Sequence, residues 1–212
     1  MVLDVKVGAD GRLTRACMAE MTASAPSDVL LYLSLSMTTP NSAPPAEGVP
    51  PLAQSDADAA ALLAAVVERC GDPRAMVNLA DLCRQGRAPG GDMKAAELCR
   101  RAADKGDPFG HTCYARHLYE GRGVAQDKVE AANHWEKAAN QGDADGLWQM
   151  AQTYHDSDLA AAAGRQRDGA KALELLSAAA DAGNVYAKDE LNNVVLAEPF
   201  PGQWPITHTS KG

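Results

Sequence analysis

Histidine and cysteine are the residues with which this chain could most readily do chemistry, and it has five of each. The histidines are His111, His117, His134, His155 and His208. Two ligands stack on one helical face when they are four residues apart; His111 and His117 are six apart and miss that register. His134 stands beside Trp135 and reads as an ordinary face residue. Cys113 with His111 or His117 offers a thiol and a base, but nothing in the sequence lowers the thiol pKa as a nucleophile needs. Gly121-Arg122-Gly123 resembles a phosphate loop, yet its place between two helical stretches explains it better as a turn. No G-x-S-x-G, Walker or G-x-G-x-x-G motif occurs. The expectation is no catalytic residues, no metal site, no cofactor, and no enzyme.

The cysteines are Cys17, Cys70, Cys83, Cys99 and Cys113. An odd number argues against a complete disulfide framework, and no CxxC pair exists. Buried or partly exposed thiols are the plain reading, with a Cys83–Cys99 bridge between two helices of one repeat as an alternative.

The elements that would position these residues are helices. Aromatics make up 5% of the 212 residues, so a core must rely on Ala, Leu and Val. Alanine is the best helix former and lets helices approach closely. A net charge of -8 gives no general reason to bind nucleic acid or anionic membrane. Val29–Leu33, the longest apolar run near the start, is far too short to span a bilayer, so no membrane insertion is expected. The opening MVLDVKVGADGR lacks a basic start and an apolar middle, so the chain as written is expected to be cytoplasmic. A leader upstream would make it periplasmic or secreted.

Residues 1–37 differ from the rest. Leu3, Val5 and Val7 alternate with Val2, Asp4 and Lys6, a strand-like period of two, and Asp10-Gly11 is a hairpin signal. Residues 28–37 read as a third strand, with a short helix as the alternative. Residues 38–56 are a proline-rich linker. The array is expected over 57–198, followed by a tail, 199–212, whose prolines forbid helix and whose Phe200 and Trp204 are expected to cap the array or dock on a partner.

Punctuation in the array is regular. Gly71-Asp72, Gly106-Asp107, Gly142-Asp143 and Gly183-Asn184 recur at spacings of 35, 36 and 41 residues. Each glycine can end a helix in the left-handed conformation, and each Asp or Asn can cap the next one. Pro73 and Pro108 then fall at the first helical position, where a missing N–H costs nothing. Small residues recur inside the units. Ala75, Gly110, Gly146 and Ala187 share one position; Ala102-Ala103, Ala138-Ala139 and Ala179-Ala180 share another. Leu79, Tyr114 and Met150 on first helices, with Cys99, Trp135 and Leu176 on second ones, fill the gaps. The fold expected is mainly α: an α/α superhelical solenoid of antiparallel helix pairs with a small N-terminal β-hairpin, its units at 72–106, 107–142 and 143–183.

The middle unit, with LYEGRGVAQD as its turn and AANHWEKAANQGDADG as its second helix and junction, resembles a Sel-one-like repeat, a relative of the tetratricopeptide repeat. The first unit differs at its turn, GRAPGGD, and the third replaces the glycine turn with HDSDLAAAAGRQRD. The resemblance implies a superhelix that holds partner proteins, often in bacterial signalling, secretion or envelope stress, without catalytic residues. The hairpin DVKVGADGRLTRACM is similar to the start of the C-terminal domain of TonB-like periplasmic proteins, which implies an exported, envelope-associated protein as the alternative.

With positions 75, 79, 80 and 83 turned to the core, positions near 78, 81 and 84 turn away. The expected partner-binding face is therefore Asn78, Asp81 and Arg84 on the first unit, Arg116 and Tyr119 on the second, and Gln149, Gln152 and His155 on the third. These side chains suit an extended peptide or a helix of a partner protein; neither the partner nor the oligomeric state is legible.

Overall fold

The computed structural model describes residues 56–196. The strands expected within 1–37, most of the linker and the tail at 199–212 lie outside those residues. Nine helices follow one another among the described residues: α1 Asp56–Cys70, α2 Pro73–Arg84, α3 Gly91–Asp104, α4 Pro108–Glu120, α5 Lys128–Ala139, α6 Ala144–His155, α7 Ser157–Ala162, α8 Gly169–Asp181 and α9 Val185–Leu196. They form an all-α repeat array of packed helix pairs. The chain divides into two compact units. One runs to Gly110 and includes Arg122–Val124; the other holds His111–Gly121 and the residues from Ala125 onward.

In the first unit, α1 buries Ala59, Leu62, Leu63, Val66 and Val67, a helical stripe that α2 covers. Helix α2 in turn packs on α3. In the second unit α5 packs on α6, α6 on α8, and α8 on α9. Ala151, Leu176, Ala179, Ala180 and Ala187 are buried together there, with Leu147, Trp148, Leu175 and Leu191 around them. The side chains expected to fill gaps, Leu79, Tyr114, Met150, Cys99, Trp135 and Leu176, are all buried.

The junction works as the sequence suggests. Gly71, Gly106, Gly142 and Gly183 all have positive φ, between 61° and 102°. The amides of Asp107, Asp143 and Asn184 donate to the carbonyls of Ala102, Ala138 and Ala179 at 3.2, 3.1 and 2.9 Å. This is the Schellman closure, which satisfies carbonyls the helix end would leave open. The same residues then cap the next helix. Asp72 accepts from the amides of Arg74 and Ala75, Asp107 from Gly110, Asp143 from Gly146 and Asn184 from Ala187.

The matched small residues meet across the junction. A Cβ on Gly110 would lie 2.6 Å from the Ala103 amide nitrogen, and one on Gly146 would lie 2.7 Å from the Ala138 Cβ. So the alanine pair that accepts the junction bond is also the floor on which the next first helix rests.

The turn within each repeat corrects one expectation. The third repeat does not lose its glycine turn. Gly86-Arg87, Gly121-Arg122 and Gly164-Arg165 each place a glycine at φ 72°, 69° and 67°. The arginine after it pairs back to an earlier acid: Arg87 with Asp56 at 2.5 Å, Arg122 with Asp92 at 3.2 Å, Arg165 with Glu136 at 2.8 Å. The extra residues of the third repeat form α7, capped by Asp156 and closed by Gly164, inserted ahead of the Gly-Arg. The ends of the loop are still pinned as in the second repeat. Asp168 donates to the Tyr154 carbonyl at 3.0 Å, as Asp127 does to that of Leu118 at 3.0 Å. The insertion is held between those ends, packed on α6 with Ala160 and Ala163 buried.

Three substitutions test this account. Gly146→Ala should destabilise by about 1–3 kcal/mol, because the added methyl meets α5 backbone and the Ala138 side chain. Asp143→Ala should cost about 1–2 kcal/mol through the lost cap and the Thr112 hydroxyl left behind, which donates to Asp143 at 2.7 Å. Gly169→Ala, where a Cβ meets nothing within 4 Å, should stay within about 0.5 kcal/mol of the parent. Urea melts followed by circular dichroism measure all three.

Candidate functional site

The expected partner-binding residues remain at or near the surface. On α2, Asn78, Asp81 and Arg84 are half-buried, while the intervening Leu79, Ala80, Leu82 and Cys83 are buried. Asp81 holds the Arg84 guanidinium at 2.5 Å and also accepts from the Gln85 amide. Its charge is thus engaged within its own helix.

In the second unit, Arg116 is exposed on α4 and has no ion-pair partner among the described residues. Tyr119 is half-buried, its ring 5.4 Å from that of Trp135, with the Lys128 ammonium 5.5 Å from its centroid. Two contacts thus fix an aromatic ring at the surface. Gln149, Gln152 and His155 are half-buried on α6. Gln152 donates to both carboxylate oxygens of Glu190 at 2.8 Å, and the Trp148 indole donates to Glu190 at 2.8 Å. Trp148 also stacks on the exposed Tyr186 at 5.4 Å. Gln152 therefore ties α6 to α9 as well as facing outward.

Other residues were not legible. His111 and His134, on different helices, bring their Nδ1 atoms to 2.9 Å, with Tyr114 edge-on to His134. One ring must donate and the other accept, so a single proton lies between them. The pair is buried and its facing nitrogens bond to each other, which makes it a helix-to-helix clasp. The spacing of 23 residues carries no helical signal; only packing α4 on α5 joins them. Cys83 is a buried free thiol that donates to the Pro89 carbonyl at 3.3 Å. Burial pushes its pKa up, away from reactivity, and the Cys83–Cys99 bridge does not form.

A half-open pocket of about 550 Å³ lies at the corner of the third repeat, lined by Tyr154, Arg165, Gln166, Arg167, Asp168 and Gly169. Nearby His155 has a pKa below its ordinary value, through burial first and the Arg167 charge second; Glu190 and Asp156 oppose the shift. Among the described residues, no helix is long and apolar enough to cross a membrane.

The family model for the Sel1 repeat matches residues 73–107, 114–143 and 144–184. A search of curated proteins finds no match. Among solved structures, a Sel1 repeat protein from Oxalobacter formigenes is similar at a TM-score of 0.69 and 20% identity, over 84% of this chain and 66% of that one. The protein c5321, a protective antigen of uropathogenic Escherichia coli displaying an SLR fold, gives 0.66 and 23%, over 86% of this chain and 36% of that one. The chain thus spans just under two thirds of the first relative and about a third of the second.

His155 supplies a test of the α6 end that needs no partner. Its folded pKa lies below the unfolded value, so the neutral ring is favoured in the fold. Above about pH 6.5 both states carry a neutral ring and the residue adds no pH dependence; as pH falls below that, the unfolded chain takes up the proton first and stability drops. His155→Gln should flatten this part of the acid limb, read as the difference between urea melts of variant and parent at pH 7.5 and about pH 5.5.

Proposed function

The chain belongs to the Sel1-repeat family, and from that premise we propose that it is a protein-interaction scaffold without catalytic activity, binding a partner protein or peptide on the face of its first helices. The observation that carries this reading is the division of labour within those helices. Core-facing positions are filled by small and apolar residues, and helix ends are held by the Gly-Asp junctions. The outward positions hold hydrogen-bonding and aromatic side chains in all three repeats: Asn78, Asp81 and Arg84; Arg116 and Tyr119; Gln149, Gln152 and His155. A face outside the small-residue core and the junctions can vary to suit a partner while the fold stays the same. Tyr119, held by Trp135 and Lys128, offers a ring whose ordering cost is met before binding.

The test is Arg116→Ala, Tyr119→Ala and Gln149→Ala combined. Affinity capture with mass spectrometry identifies partners of the parent protein. The triple variant should bind them at least about tenfold more weakly, the scale of losing one or two interface anchors. Helicity by circular dichroism should be unchanged. Partner binding of parental strength in a folded triple variant would remove this face from the proposal.

A further inference from the structure

The pocket at the corner of the third repeat lies between the end of α6 and the start of α8, at the Gly-Arg turn that follows the inserted α7. Its two arginines are not equivalent. Arg165 performs the task of Arg87 and Arg122: its Nη2 and Nη1 reach Glu136 at 2.8 and 3.4 Å, and Nη1 also lies 3.3 Å from the Tyr154 hydroxyl. The Arg165 guanidinium lies over the Tyr154 ring at 5.8 Å. Its charge is thereby matched. Arg167 has no counterpart in the turns of the first two repeats. It is exposed, and its Nε donates to the His155 carbonyl at 2.9 Å. That bond fixes the guanidinium while leaving both terminal nitrogens available. No carboxylate among the described residues forms an ion pair with it.

The walls select the ligand. Asp168 turns one oxygen to the Lys171 amide, capping α8, so it is occupied and keeps a negative charge at the pocket. Glu136 balances Arg165. The corner thus sets two arginines against two acids, and the one guanidinium fork left without an ion pair, that of Arg167, suits a monoanion better than a doubly charged phosphate. A guanidinium presents two parallel N–H groups that match the two oxygens of a carboxylate. Gly169, at the first position of α8, leaves open space where a side chain would stand. The Arg167 charge also reaches His155, adding to the effect of burial in lowering its pKa, against the opposing charges of Glu190 and Asp156.

We propose that this corner is a carboxylate-binding pocket in which Arg167 receives an acidic side chain or a chain terminus of a protein partner. The source of the carboxylate rests on the scaffold reading; the pocket's preference for a carboxylate rests on its own geometry.

The test uses the full chain, labelled with nitrogen-15, and follows amide and arginine Nε resonances by NMR. Four probes are titrated: acetyl-glutamate amide for a side chain, acetyl-glycylglycine for a chain terminus, acetyl-glutamine amide as the neutral isostere, and inorganic phosphate. At least one monocarboxylate should give saturable shifts at Gly169, Gln166 and the Arg167 Nε; the neutral isostere should not. Which carboxylate binds more tightly identifies the source. Arg167→Gln should weaken binding at least about tenfold, the scale of one charge-assisted hydrogen bond. Arg167→Lys, which keeps the charge without the fork, should fall between, and it guards against a folding artefact. A bound carboxylate should also raise the His155 pKa, followed through its ring protons, because it offsets the Arg167 charge.

The proposal is overturned if no carboxylate saturates, if the isostere produces the same shifts, if Arg167→Gln binds like the parent, or if phosphate binds and the carboxylates do not. The probes need no natural partner. Their failure alongside a partner sensitive to Arg116, Tyr119 and Gln149 removes only the pocket, and the reverse removes only the face.

Discussion

The array depends on a two-residue device. A glycine in the left-handed conformation turns the chain out of one helix, and the Asp or Asn after it closes that helix with its amide and opens the next with its side chain. Helix ends are otherwise costly, because their first amides and last carbonyls lack partners. Here one dipeptide answers both ends. Because its acceptors are the alanine pairs at Ala102, Ala138 and Ala179, the closure also fixes where the following helix lands. Gly110 and Gly146 then approach so closely that no side chain fits. Local hydrogen bonding and tertiary packing are thus set by the same few residues.

A second device works inside each repeat. The Gly-Arg turn reverses the chain between paired helices, and its arginine reaches back to an earlier acid. Exposed ion pairs of this kind add little stability singly, about 0–1 kcal/mol. Their recurrence matters more for register, since they mark where each turn sits. The third repeat shows how much change this arrangement absorbs. A whole short helix enters between α6 and the Gly-Arg, yet the Asp168–Tyr154 bond closes the loop just as the Asp127–Leu118 bond closes its shorter counterpart. The added helix packs on α6, with Ala160 and Ala163 buried, and the closing bond of the loop stays in place.

Family and candidate face separate cleanly in this architecture. Buried alanines, capping acids and turn glycines make a Sel1 array, and they say nothing about what is bound. Arg116 and Arg167, exposed and without an ion pair among the described residues, belong to none of these sets. The chain accordingly shares its fold with solved structures at 20 and 23% identity.

Much of the fold was legible in the sequence, because its signals are local. Helix ends, caps and the small-residue ladder depend on residues within one turn of each other, so Gly142-Asp143 or Ala138-Ala139 could be interpreted without coordinates. The outward placement of Asn78 and Gln149 followed from helical period alone. Three features needed the tertiary structure. The His111–His134 clasp joins residues 23 apart whose meeting depends on how α4 lies on α5. Gln152 and Trp148 find Glu190 only because α9 packs beside α6. The third Gly-Arg turn was hidden, since its glycine lies after an inserted helix and out of register with the other two. Sequence by itself determined the repeat and its punctuation, which are matters of backbone conformation and nearest neighbours. Only the folded chain decided which polar side chains pair with one another and which, like Arg167, form no ion pair among the described residues, because most of those pairings join helices distant in sequence.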